Sequence, residues 1–361
     1  VNLSLSTCIG SYPLKYHLIF TLDYELFGNG SGCIDKCLID PTAKCQSLLE
    51  QAGAPLTVFV EALELANFAA LKNEPIRSQN QGIAAQLRLL HENGHKLELH
   101  LHPQWMSAQK KNTGWQLDNE KWRIGDLSDT EITDCVNGGL SFFSEFKIQR
   151  NMNSPVFRAG GWAMQPSGKV LKELYKAGIR IDSTVAPGAY NPSKGDWFDF
   201  RRTPNLPFWR VSDNICQQNE QGGMLEVPIA TENIGRRTHL QALKEHRSGE
   251  EFPLGCSGSY AGPNSKLQAI KGKFAKLANV GTAMLDFSTL PSWALIDITE
   301  RYMSRFAGFD DTIPIVAIGH NKNFSRQSEE NLTSYLNWAN SCPELTYSTY
   351  DTWLKTTTIN I

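Results

Sequence analysis

The sequence predicts an α/β protein whose strands and helices form a distorted (β/α) barrel of seven or eight units, on the plan of a TIM barrel. Segments of strand and helix pattern alternate along the chain, which is typical of parallel strands because these need crossover connections. The 361 residues suffice for one barrel of ~250 residues or more. No Gly-X-Gly-X-X-Gly turn follows the first strand, which disfavours a dinucleotide-binding fold.

The alternation begins near the N-terminus and continues almost to the end of the chain. Apolar runs predict strands over Tyr16–Leu22, Pro55–Val60, Lys96–Leu101, Pro155–Arg158, Arg180–Ser183, Leu225–Ile229, Gly281–Asp286 and Ile313–Ile318. Apolar residues at helical spacing predict helices over Pro41–Ala52, Ile83–Asn93, Ser167–Ala177, Lys266–Ala278, Ser292–Phe306 and Glu329–Ser341. No boundary interrupts this order, so we expect a single domain over 1–361. Residues 188–221 and 231–262 are predicted to be long loops that follow strands and line the barrel mouth.

Composition and charge exclude several other classes of protein. The 35 Lys+Arg against 37 Asp+Glu give a formal net charge of −2 without a polybasic cluster, so we expect no nucleic-acid partner. No apolar run approaches the roughly 18 to 20 residues of a transmembrane helix. Eight cysteines are too few for a disulfide-rich secreted domain, which favours free thiols. Because no leader is visible after Val1, we expect a cytoplasmic protein, with a removed signal peptide as the alternative.

Two predicted strands end in residues that could hold a metal ion. The first ends in Asp23 and Glu25, which lie two residues apart and therefore face the same side. They could share a cation or divide acid and base work, or they could be two solvated acids. The third strand leads into His-Leu-His-Pro, and its alternation places His100 and His102 together on the face opposite its leucines. Two imidazoles at a strand end are suited to bind one divalent metal ion.

Two further strand ends carry candidate catalytic groups. In the segment Phe-Arg-Ala-Gly-Gly-Trp, Arg158 could hold a carboxylic acid in its ionised form, and Gly160 and Gly161 would let the backbone approach a ligand. The strand near residue 318 ends in His320, and histidine is a natural proton donor near neutral pH. Active sites of barrels lie at the C-terminal ends of the strands, so all four groups would converge there. Together they indicate metal-assisted hydrolysis, in which zinc polarises a carbonyl group and lowers the pKa of bound water to around 7.

These residues resemble the polysaccharide deacetylases with the NodB homology domain, carbohydrate esterase family 4. Phe-Thr-Leu-Asp at 20–23 is similar to the family's Thr-Phe-Asp-Asp motif, and Gly94-His95 followed by His100 is similar to its Gly-His-X4-Asn-His motif. Phe-Arg-Ala at 157–159 resembles Phe-Arg-X-Pro, and Gly319-His320 resembles the final Leu-His. The similarity is closest to the WbmS-like subgroup, which is found in surface-polysaccharide gene clusters.

The resemblance implies a carbohydrate deacetylase, a hydrolase of linear amides that binds one divalent metal ion, most simply Zn²⁺. It would remove N-acetyl or O-acetyl groups from an amino-sugar or polysaccharide during lipopolysaccharide or capsule biosynthesis. The implied roles are a base (Asp23), a residue that orients it (Arg158), an acid (His320), metal ligands (Glu25, His100, His102) and substrate-binding residues (Trp105, Gly160, Gly161, Trp162).

Four alternatives remain open at this point. Asp23 and Glu25 could exchange roles, because the family's two carboxylates are adjacent whereas Tyr24 intervenes here. The family's second histidine corresponds in position to Gln104, so His102 is chosen from strand alternation instead. The chain could also be another barrel metal hydrolase, of amidohydrolase or PHP-like phosphoesterase type, or a non-catalytic carbohydrate-binding barrel. The metal, the sugar and the oligomeric state are not specified by the sequence.

Overall fold

The computed structural model describes residues 15–112, 114–193, 195–248 and 281–359. The strands in these residues are β1 Tyr16–Tyr24, β2 Leu56–Glu61, β3 Lys96–Leu101, β4 Gln109–Lys111, β5 Gly114–Gln116, β6 Val156–Ala159, β7 Ile181–Asp182, β8 Tyr190–Asn191, β9 Phe198–Asp199, β10 Trp209–Val211, β11 Met224–Glu226, β12 Thr231–Asn233, β13 Thr282–Met284, β14 Ile313–His320 and β15 Leu345–Tyr347. The helices are α1 Asp40–Gln51, α2 Ala62–Ala69, α3 Ile76–Glu92, α4 Asp129–Glu145, α5 Gly168–Lys176, α6 Arg236–Ser248, α7 Ser292–Arg305, α8 Arg326–Ser341 and α9 Tyr350–Leu354. The predicted helix Lys266–Ala278 lies outside the described residues.

A curled sheet forms the centre of the molecule. Its strands follow the order β10-β11-β7-β6-β3-β2-β1-β14, and β15 pairs with the first residues of β1. All of these pairs are parallel except that of β10 with β11. Every residue of β1 and of β2 is buried, as expected for parallel strands that are covered on both faces. The alternating strand and helix pattern is therefore confirmed as an α/β fold.

The sheet is a half-barrel, and the described residues contain no continuous ladder that closes it. Only single parallel bridges, Ile229 with Val316 and Asp286 with Ile318, connect the segments after β11 and β13 to β14. Within the predicted strand Gly281–Asp286, Thr282–Met284 is a strand, but it pairs antiparallel with β12 in a separate two-stranded sheet, and only Asp286 bridges to β14. The described residues therefore do not show the closed barrel that the sequence predicts.

The two predicted long loops contain secondary structure of their own. The first holds the β8–β9 hairpin and the edge strand β10, and the second begins with β12 and α6. Helix α4 was not predicted at all, although Ser128 and Glu131 form a capping box at its start. No helix in the described residues is long and apolar enough to cross a membrane.

The pairing of the strands decides which side chains meet at the carboxyl edge of the sheet. In the register of β1 with β14, Asp23 is opposite His320. In the register of β3 with β6, His100 is opposite Arg158. Since β2 and β3 pair so that Glu61 is opposite His100, the polar ends of five strands form one continuous group. The candidate catalytic residues therefore lie on the side where α/β folds bind their ligands.

Candidate active site

Three side chains at this edge could hold a metal ion. The Oε2 atom of Glu25 lies 3.2 Å from His102 Nδ1 and 3.6 Å from His100 Nε2. One ligand atom from each of the three residues lies within 4.8 Å of the other two. All three residues are buried, with exposed fractions of 4% or less. Two nitrogens and one carboxylate oxygen around a common space form a ligand set that suits zinc and similar divalent metals.

His100 shows that the donor set fits a cation. Its Nδ1 atom donates to the carbonyl oxygen of Arg158 at 2.9 Å, so in the neutral ring Nε2 is the nitrogen with the lone pair. This Nε2 atom is buried and has no hydrogen-bond partner. A buried nitrogen without a partner is costly unless something else satisfies it. A metal ion between His100 and Glu25 would do so.

His102 is held in place from two directions. Its backbone N–H donates to Glu61 Oε1 at 3.0 Å, and its ring lies against Gly160, where an added Cβ would be 2.5 Å from the imidazole. Burial lowers the pKa of His102 to about 3, so the ring is neutral near pH 7 and can offer a lone pair. The glycine after the arginine motif thus makes room for a candidate ligand.

Asp23 is paired with Arg158 in the interior. Arg158 Nη1 donates to Asp23 Oδ1 at 2.6 Å and to Thr21 Oγ1 at 3.1 Å, and its Nε donates to the carbonyl oxygen of Ser183 at 2.8 Å. Burial alone would raise the pKa of Asp23, but the charges of Arg158 and the nearby histidines outweigh burial and hold this pKa below its ordinary value. The carboxylate is therefore ionised and available as a base.

His320 lies on the other side of Asp23. Its Nε2 atom is 3.5 Å from Asp23 Oδ2, and its backbone N–H donates to Ser288 Oγ at 3.2 Å. The side chain is 12% exposed, more than Asp23 or the three candidate ligands. Asp23, Glu25 and His320 also form a second group whose ligand atoms lie within 4.8 Å of one another. His320 is thus placed between the buried carboxylates and the solvent.

Two residues that follow His320 contact Glu25 and were not predicted from the sequence. Lys322 Nζ lies 2.6 Å from Glu25 Oε1, and Asn321 Oδ1 accepts a hydrogen bond of 3.2 Å from the backbone N–H of Glu25. Burial alone would raise the pKa of Glu25, but the charge of Lys322 and the contacts with His102 and His100 hold this pKa well below its ordinary value. The available signal was the tripeptide His-Asn-Lys, which begins at His320, the residue opposite Asp23 in the β1–β14 register.

Two buried glutamates support the site from β2 and α2, and the sequence analysis missed them as well. Besides holding His102, Glu61 accepts a hydrogen bond from the backbone N–H of Glu64 at 2.8 Å. Glu64 in turn accepts one from the backbone N–H of Leu26 at 2.8 Å. Burial raises the pKa of Glu64 to about 8. This chain of bonds ties the loop after Glu25 to the segment that carries His102.

Aromatic rings surround the group of polar residues. Trp162 lies 6.0 Å from His320 between ring centroids, and its φ of +57° is a left-handed conformation that costs a non-glycine residue about 1–2 kcal/mol. Gly161 beside it has the same φ. Trp122, which the sequence analysis did not identify, lies 6.1 Å from His102. By contrast, Trp105 is only 1% exposed and packs against Phe68 and Trp115, so it offers no free face for a sugar ring.

Comparison with known proteins places the fold but not the activity. No protein-family model and no curated protein matches the sequence. Solved structures with a similar fold include a protein described as a polysaccharide deacetylase from Mycobacterium smegmatis, with a TM-score of 0.50 and 12% identity over 95% of this chain and 90% of that chain. A protein described in the same way from Pseudomonas aeruginosa PAO1 has a TM-score of 0.50 and 10% identity over 94% and 90%.

The PuuE allantoinase is similar to the same degree, with a TM-score of 0.50 and 10% identity over 96% of this chain and 94% of that chain. The likeness therefore extends over nearly the whole chain and includes structures described as two different enzymes. At these identities it concerns the fold alone. The chain has an α/β fold of the kind found in polysaccharide deacetylases, and its function has to be argued from the site.

Proposed function

We propose that this protein is a metal-dependent hydrolase that removes the acetyl group from an acetylated amino-sugar. The observation that carries the proposal is the position of Glu25 Oε2 beside both His102 Nδ1 and His100 Nε2. Next to these atoms, Arg158 keeps Asp23 ionised. A cation site and an ionised base in one buried group are the parts that hydrolysis of an amide requires.

Glu25, His100 and His102 would hold the metal, which would polarise the acetyl carbonyl group and acidify water at the site. We assign Glu25, and not Asp23, as the carboxylate ligand, because only Glu25 is grouped with both histidines. Arg158 holds Asp23 Oδ1, which leaves Oδ2 as the oxygen that would take up a proton.

Asp23 on β1 and His320 on β14 would carry out the two proton transfers. Asp23 accepts a proton from the attacking water, and Arg158 stabilises the charge and fixes the direction of the carboxylate. His320, on the solvent side, donates a proton to the leaving nitrogen. This nitrogen has to leave as a neutral amine, because the unprotonated amide anion is a very poor leaving group. Trp162 and Trp122 would bound the space in which the sugar ring lies.

The carbohydrate substrate is favoured by the aromatic rings at the mouth, since aromatic faces pack well against the apolar faces of sugar rings. We further propose, from the motif resemblance, that the sugar belongs to a bacterial surface polysaccharide or its precursor. Trp162, Gly160 and Gly161 would form the side of the cleft that contacts this sugar, while Trp105 belongs to the core beneath.

Acetate release tests the proposal directly. Purified protein loaded with Zn²⁺ is incubated with N-acetylated amino-sugars, with O-acetylated sugars and with allantoin, beside the Asp23→Asn variant. We expect acetate from an acetylated sugar, with a rate that falls at least 100-fold in the variant. Ring opening of allantoin without acetate release would assign a cyclic amide as the substrate and overturn the carbohydrate assignment.

A further inference from the structure

We propose that Lys322 is a positioning residue that fixes the Glu25 carboxylate so that only one of its oxygens faces the two histidines. This inference rests on the metal site of the proposed function. Lys322 Nζ donates to Glu25 Oε1 at 2.6 Å and to the carbonyl oxygen of Leu26 at 3.1 Å. The other carboxylate oxygen, Oε2, is the one that lies beside His102 and His100.

Lys322 is buried, so its charge requires the ion pair with Glu25. Lys322 is 5% exposed, and removing an ammonium group from water is costly unless a charge and hydrogen bonds compensate for it. Glu25 supplies the charge, and the Leu26 carbonyl supplies a second acceptor. The two side chains therefore hold each other, since either one that turned away would break a buried ion pair.

The backbone around the pair is fixed as well. Asn321 accepts from the Glu25 backbone N–H through Oδ1 and donates through Nδ2 to the carbonyl oxygen of Cys37 at 2.7 Å. Residues 321–323 form a 3₁₀ turn directly after β14. Glu25 is thus held at its backbone by one residue of this turn and at its carboxylate by the next.

As a consequence, only one oxygen of the Glu25 carboxylate would be available to a bound metal. With Oε1 engaged by Lys322, Glu25 presents Oε2 and keeps the remaining space free for substrate and water. Partners of metal ligands that act in this way typically change affinity or activity 10- to 100-fold when removed. Without Lys322, the carboxylate could turn and use both oxygens, which would add a ligand and crowd the site.

Cobalt spectroscopy tests this role without relying on turnover. Co²⁺ is added to the wild type and to Lys322→Met, Lys322→Gln and Lys322→Arg, and the visible absorption spectrum and the acetate release are recorded. Lys322→Gln serves as a second neutral variant in case Lys322→Met does not fold. Lys44→Met is the control, since Lys44 forms an ion pair of the same 2.6 Å length with Glu329 at the protein surface, where the Lys44 side chain is 54% exposed.

We expect the neutral variants to bind Co²⁺ with weaker absorption, as extra ligands produce, and to release acetate 10- to 100-fold more slowly. Lys322→Arg keeps the charge and is expected to retain the wild-type spectrum. Wild-type spectra and rates in both neutral variants would overturn the positioning role and leave the proposed function standing. Failure of the wild type to bind Co²⁺ would overturn the metal site itself, and this inference with it.

Discussion

His100 donates its Nδ1 hydrogen to the carbonyl oxygen of Arg158 at 2.9 Å. Because a carbonyl oxygen can only accept, this bond places a hydrogen on Nδ1, so that in the neutral ring Nε2, which lies 3.6 Å from Glu25 Oε2, is the nitrogen with the lone pair. The two residues are direct neighbours in the parallel register of β3 and β6. One contact between strands therefore selects the nitrogen that can bind a metal and also aligns the strand that supplies the arginine for Asp23.

Replacing Asp23 and Glu25 in turn by the corresponding amide distinguishes the general base from the metal ligand. We expect Asp23→Asn to keep its metal and to lose acetate release by roughly 10²- to 10⁴-fold, because it removes only the proton acceptor. We expect Glu25→Gln to lose the metal, because an amide oxygen is a weaker ligand than a carboxylate. Metal analysis and an acetate assay on both variants provide the check, and the reverse pattern would show that the two residues have exchanged roles.

Replacing His320 should affect amides more than activated esters. In His320→Asn, we expect acetate release from an N-acetylated sugar to fall at least 100-fold, since the leaving amine needs a proton. An aryl acetate, whose phenolate leaves without one, should be hydrolysed at nearly the wild-type rate. Equal losses on both substrates would count against a role as the acid and would favour a role in holding Asp23, which lies 3.5 Å away.

Adding one methyl group at Gly160 should disturb the metal ligand. A Cβ at this position would be 2.5 Å from the His102 ring, so the imidazole has to move. We expect Gly160→Ala to weaken metal binding by about 10- to 100-fold in a titration. Gly308→Ala is the control, because a Cβ there meets nothing within 4 Å. Equal affinities in the two variants would contradict the packing account.

Stability should fall as the pH rises through the pKa of Glu98, a buried glutamate two residues before His100 on β3. Burial raises the pKa of Glu98 to about 8, so the folded protein keeps its proton from about pH 4.5, where the unfolded chain loses it, up to about pH 8. Its contribution is therefore complete at low pH and is lost across this interval. The free energy of unfolding, measured with urea at several pH values across this interval, should depend on pH less steeply in Glu98→Gln than in the wild type, by about 1 kcal/mol per pH unit. An unchanged pH dependence would disprove the assignment.

The sequence allowed prediction of the strands that carry the site, because long apolar runs that end in charged residues need no tertiary information. It also identified Asp23, Glu25, His100 and Arg158, which the structure brings together. It did not identify Lys322, because a lysine in a polar segment is normally solvated and its partner Glu25 is 297 residues away in the chain. Only the β1–β14 pairing makes this lysine part of the site.

Other differences have equally local causes. Helix α4 was missed because Gly138 and Gly139 in its middle resemble a turn signal, whereas a Cβ at Gly139 would be 2.5 Å from the Leu101 side chain. The glycine lets the helix pack closely on β3. Strands of two or three residues such as β7 and β13 depend on their neighbours, so the periodicity of the sequence cannot specify whether they join the main sheet.

Metal content is the measurement that tests the central claim most directly. The wild type, His100→Ala and His102→Ala are purified, loaded with Zn²⁺, dialysed and analysed, with His91→Ala as a histidine control on helix α3. We predict about one zinc ion per chain in the wild type and in the control, and loss of the metal in both site variants. A wild type without metal, or metal retained in full without His102, would contradict the proposed site.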